Sequence, residues 1–121
     1  MTPNFSDFDL QPQLEQAIAD IGYTAPTPIQ STVIPAMLAG QDVIGQSQTG
    51  SGKTAAFSLP ILHNLQPGHR RVQSLVVTPT RELAIQVADA MVTYGRQTGV
   101  RVLAVYGGQP SDHQNRHLKK G

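Results

Sequence analysis

The stretch Ser47-Gln48-Thr49-Gly50-Ser51-Gly52-Lys53-Thr54 constrains this chain more than any other. Glycines let a backbone turn sharply and aim its N–H groups at one point with no side chain between them. Gln41 to Gln46 reads as a short strand running into this turn, and the residues from Lys53 onward read as a helix. A strand, a glycine turn and a helix N-terminus with its unpaired N–H groups form a cradle for phosphates. Lys53 supplies the catalytic cation that reaches the terminal phosphates, and Thr54 supplies a hydroxyl for Mg²⁺. Such a loop implies binding of a nucleoside triphosphate. Ser47 stands where the general pattern asks for glycine, and a small residue is tolerated where the loop leaves the strand.

The rest of the chain alternates helices and strands around this loop. A first helix is expected from Pro12, with Leu10, Leu14, Ile18 and Ile21 on one apolar stripe and Gly22 as the stop. A second starts at Pro28 under a Thr27 cap, turns Ile29, Val33, Ile34, Met37 and Leu38 inward, and ends at Gly40. Pro35 and Pro60 fall inside helices and are expected to bend them. Leu75-Val76-Val77 reads as a buried parallel strand, and Val100 to Tyr106 as a third strand closed by Gly107-Gly108. Between them, Thr80 caps a helix with Leu83, Val87 and Met91 on one face. This order implies an α/β fold with a parallel sheet flanked by helices. The tail from Gln109 to Gly121 is polar, with Leu118 its only large apolar residue.

Composition narrows the function classes. With 121 residues, 39% hydrophobic and 14% charged, the chain is globular in character. A net charge of +1 provides no global basic field, so any nucleic-acid site must be local. There is no cysteine, which excludes disulfides and thiolate metal sites. The N-terminus lacks a signal-peptide layout and no apolar run is long enough for a bilayer, so a cytoplasmic protein without membrane contact is expected. His113 and His117 are spaced as a helical metal pair would be, but no third ligand accompanies them, and the four histidines read as solvated.

Four blocks together resemble the DEAD-box ATP-dependent RNA helicases, specifically the first half of their N-terminal RecA-like domain. Gly22-Tyr-Thr-Ala-Pro-Thr-Pro-Ile-Gln30 is similar to the Q motif, with Phe5 at the upstream aromatic position. The glycine loop is similar to that family's P-loop, with Ser47 in place of alanine. Pro79-Thr80-Arg81-Glu82-Leu83-Ala84 looks like motif Ia, and Gly107-Gly108 like the glycine doublet. Asn115 departs from the pattern, standing where an apolar residue is usual.

The resemblance implies roles. Phe5 is expected to stack on adenine and Gln30 to bond its polar edge, selecting ATP over GTP, with Tyr23 and Thr27 completing the base site. Ser47 to Thr54, including Thr49 and Ser51, is expected to hold the phosphates. Pro79, Thr80, Arg81, Gly107 and Gly108 are expected to contact the RNA backbone. A partial domain follows, with a Q-motif region over 1–40 and a P-loop core over 41–121, lacking the C-terminal RecA-like domain. The Asp-Glu-Ala-Asp tetrad does not occur in the chain. Phosphoryl transfer needs such carboxylates. For this length of chain the alternative is therefore a non-catalytic nucleotide-binding module. Another P-loop ATPase is a third reading, against which the Q-motif block argues. The strand before the loop would have open edges, so the chain alone is expected to be marginally folded or self-associated.

Overall fold

Proline or threonine sets the starts of the first, second and last of the long helices. The fold, given by a computed structural model, is described for residues 4–48, 50, 52–108, 114–116 and 118. Thr49, Ser51, Gln109, Pro110, His113 and His117 lie outside the described residues. A short 3-10 turn, Phe5–Phe8, opens the chain under a reciprocal Asn4–Asp7 cap. Helix α1 spans Pro12–Ile21 and stops at Gly22, whose φ of 94° is left-handed and suits glycine. Helix α2 spans Pro28–Leu38, with the Thr27 hydroxyl and the Gln30 amide forming a capping box. Helix α3 spans Lys53–Asn64 and α4 spans Arg81–Tyr94, the latter capped by Thr80. Pro35 and Pro60 both lie inside their helices, and residues 114–116 and 118 are helical.

The core is a helical packing centred on α3. α2 and α4 both pack against α3, and α1 touches α3 and α4. Leu14, Ile18, Ile34, Leu59 and Leu62 are its fully buried centre. The N-terminal segment is clipped to the far end of α3: the Gln11 backbone N–H donates to His63 Nδ1 (3.1 Å), and Gln11 Nε2 donates to the His63 carbonyl (2.6 Å). The loop after α3 is closed by a mutual amide pair between Gln66 and Gln73, both bonds 2.9 Å.

The expected burial needs correction at Ile21, Leu83, Leu75 and Val77. Ile21 and Leu83 are exposed, because each lies off the side of its helix that meets α3. On α4 the buried line is Val87, Met91 and Tyr94. Leu75 and Val77 are more than four-fifths exposed, at 82% and 83%, while Val76 between them packs on the core. Alternation in an extended segment explains this: one face meets the helices, and no described residue covers the other. The three expected strand segments are non-helical.

Candidate functional site

The turn into α3 is shaped by two glycines. Gly50 and Gly52 have φ of 83° and 86°, a conformation that costs other residues strain. Gly52 is also confined in space. A Cβ there would run into Gln30 Nε2 and stand 3.2 Å from Thr27 Oγ1. Among the described residues no side chain caps α3, whose first N–H groups have no partner within the helix. Lys53, the first residue of α3, is exposed, and Thr54 beside it is half-buried.

Gln30 is buried, and its amide is used at both ends. Its Oε1 accepts from the Thr27 backbone N–H (2.9 Å) and its Nε2 donates to the Gly52 carbonyl (3.1 Å). The start of α2 and the phosphate turn are therefore one hydrogen-bonded unit. The sequence placed Gln30 near the base but showed nothing of its bond to Gly52. Gly45 reinforces the seat, since a Cβ there would touch Ile29 and Val33 of α2.

Phe5 and Tyr23 form a ring stack of their own. Their centroids are 6.2 Å apart at 23°, and Phe8 meets Phe5 edge-on at 5.9 Å. Phe5 is 4% exposed and Tyr23 41% exposed, so the accessible ring is that of Tyr23 and Phe5 lies behind it. The Tyr23 hydroxyl is 3.3 Å from that of Tyr94 on α4. Burial first, and then the Tyr23 hydroxyl, push the Tyr94 phenol above its ordinary range. Tyr94 and His63 were missed as supporting residues because their partners lie far off in sequence.

A second constellation forms at the start of α4. The Thr80 hydroxyl accepts from the Leu83 N–H (3.1 Å), and the Thr78 hydroxyl donates to the Thr80 carbonyl (3.0 Å). Pro79 and Arg81 are exposed. The Arg81 guanidinium carbon lies 5.7 Å from the centre of the Tyr106 ring. No described atom lies within 4 Å of where a Gly107 Cβ would stand, and Arg81 Nη1 is 3.7 Å from where a Gly108 Cβ would stand. The fold thus brings Arg81 beside Gly108 and adds Tyr106. That residue had no sequence signal beyond its position next to the doublet.

Residues 27–121 match the DEAD/DEAH box helicase family model. The chain belongs to that family. It is 52% identical over 118 residues to the ATP-dependent RNA helicase DeaD of Klebsiella pneumoniae, a match covering 97% of this chain and 18% of that protein. It is 47% identical to the DEAD-box ATP-dependent RNA helicase RhpA of Helicobacter pylori, over 98% of this chain and 24% of that one. The chain therefore spans about a fifth to a quarter of the length of these curated relatives. Among solved structures it overlays the RNA-helicase Prp28 from Chaetomium thermophilum bound to ADP, with TM-score 0.86 and 35% identity over 98% of this chain and 30% of that one. A DEAD box protein from Methanococcus jannaschii gives TM-score 0.85 and 36% identity over 97% of this chain and 32% of that one. The fold class of the DEAD-box chain is α/β, of the RecA-like kind. Among the described residues no helix is long and apolar enough to cross a membrane.

Proposed function

We propose that this chain is the ATP-binding front of a cytoplasmic ATP-dependent RNA helicase, which couples nucleotide binding and hydrolysis to local unwinding of RNA. The observation that carries the reading is the Gln30–Gly52 bond, which makes the base-reading and phosphate-holding elements a single unit. Tyr23 offers the open face for adenine stacking, and Phe5 sets its plane from behind. The Gln30 amide, a donor and an acceptor in one group, reads the base edge by exchanging one of its internal partners for adenine. The open N–H groups of α3, with Gly50, Gly52 and Lys53, hold the phosphates, flanked by Ser47, Gln48, Thr49 and Ser51.

Mg²⁺ fits the donor set at Thr54. A cation that keeps its waters and takes phosphate oxygens needs one hydroxyl rather than a protein cage. Among the described residues no cluster of three His, Cys, Asp or Glu side chains offers an alternative site. When bound, the ion neutralises charge on the terminal phosphates. RNA is held through its backbone by Pro79, Thr80, Arg81, Gly107 and Gly108, without sequence preference. A second RecA-like domain supplies the closing partner.

The chain contains no Asp-Glu-Ala-Asp motif, which favours, for these 121 residues alone, a module that holds nucleotide without turning it over. One experiment separates the two readings. RNA-stimulated ATP turnover is measured on the chain and on a version extended through a second RecA-like domain. Turnover is expected only from the extended version. RNA-dependent hydrolysis by the 121 residues alone would overturn the assignment of chemistry to carboxylates outside them.

A further inference from the structure

Arg81 is the first residue of α4 and is exposed, so its long side chain has many conformations open to it. Two features narrow them. The backbone beneath it is fixed by the Thr80 cap and by the bond from Thr78 to the Thr80 carbonyl. The guanidinium then lies 5.7 Å from the Tyr106 ring centre, within the range of a cation–π contact. No ion pair holds Arg81 among the described residues, although Glu82 is its neighbour in sequence.

The type of contact matters. A carboxylate partner would occupy the N–H donors of the guanidinium, whereas an aromatic face consumes none of them. The donors stay available for a bidentate grip on a phosphate oxygen pair. On the side facing Arg81 Nη1, Gly108 carries no side chain, and its φ of 92° holds the turn in a form that favours glycine.

We propose that Tyr106 is a positioning residue for RNA binding: its ring holds the Arg81 guanidinium beside the Gly107–Gly108 turn, preset for a backbone phosphate. This rests on the reading of Arg81 and the glycine doublet as RNA contacts. Tyr106 acts through Arg81 and need not touch RNA itself.

The test uses the full-length protein and a single-stranded RNA oligonucleotide, with nucleotide affinity measured alongside. Tyr106→Leu is expected to weaken RNA binding about two- to fivefold, the size of an exposed cation–π contact, with nucleotide affinity unchanged. Tyr106→Phe keeps the ring and is expected to bind as the parent does. In an Arg81→Ala background, Tyr106→Leu is expected to add nothing. The Arg81 side-chain N–H resonance should carry a ring-current shift that Tyr106→Leu removes and Tyr106→Phe retains, a readout independent of RNA. Losses that add in the double variant, or a Phe variant as weak as the Leu variant, overturn the proposal. An Arg81→Ala loss without any Tyr106→Leu loss overturns the proposal alone. Unchanged RNA affinity in Arg81→Ala overturns the underlying RNA reading as well.

Discussion

The nucleotide end and the α4 end of this DEAD-box chain are held together in opposite ways. At the nucleotide end a buried amide, Gln30, ties Thr27 to Gly52. At the α4 end an exposed arginine rests on a ring beside a bare glycine turn. A buried polar group left without partners costs its full desolvation, whereas a surface contact that is lost is largely replaced by water. Under the proposed function, binding and stability are therefore coupled at the first site and separable at the second.

The sharpest way to break that comparison is at its charge. Lys53→Ala should lower turnover in the extended protein by about a hundredfold or more while leaving the thermal midpoint in place, since Lys53 is exposed. A collapse of the fold in this variant would show that the phosphate cation is also structural. Next in size is Gln30→Ala, which strands the Thr27 N–H and the Gly52 carbonyl. Unfolding in denaturant should show a loss of about 2 kcal/mol, with weakened ATP binding in the same variant. Binding lost at parental stability would contradict the coupling.

At the other end the effects should divide. Thr80→Ala removes the α4 cap and should cost about 1 kcal/mol in denaturant melts. Arg81→Ala should leave stability within about 0.5 kcal/mol while weakening RNA binding. The smallest effect belongs to Tyr94, whose phenol is pushed up by burial and by Tyr23. A raised folded-state value means that the neutral phenol is favoured by folding. Its contribution is thus complete below the ordinary tyrosine range near 10 and declines as pH rises above it. Tyr94→Phe should remove that alkaline decline, read by melting between neutral and strongly basic pH, at a neutral-pH cost of about 1 kcal/mol or less.

The helix bounds were legible because they are written locally. Pro12, Pro28, Thr27 and Thr80 act on their own backbone, and the observed starts of α1, α2 and α4 coincide with them. The glycine turn was legible for the same reason. What stayed hidden depends on which side meets α3. An aromatic residue serves equally as an exposed platform or a buried support, and only packing shows that Phe5 is buried while Tyr23 is accessible. Leu83 and Tyr94 both fit a helical stripe; the direction of α3 decides between them. Gln30 was found by its motif, but its bond to Gly52 spans 22 residues, and no local pattern reports that. The cluster at the start of α4 was half legible: motif and doublet were both visible, while their meeting through Tyr106 was not.

The clip between Gln11 and His63 also bears on how the molecule assembles. It joins residues 52 apart in sequence, and the Tyr23–Tyr94 hydroxyl pair joins residues 71 apart. The cost of closing a loop in a chain rises with its length, so contacts of short separation form more readily. The Gln30–Gly52 bond closes the shortest of the three loops and can nucleate early. The Tyr23–Tyr94 pair, which closes the longest of the three loops, forms last. During folding the tie between α2 and the glycine turn thus precedes the closure that brings Tyr23 to α4.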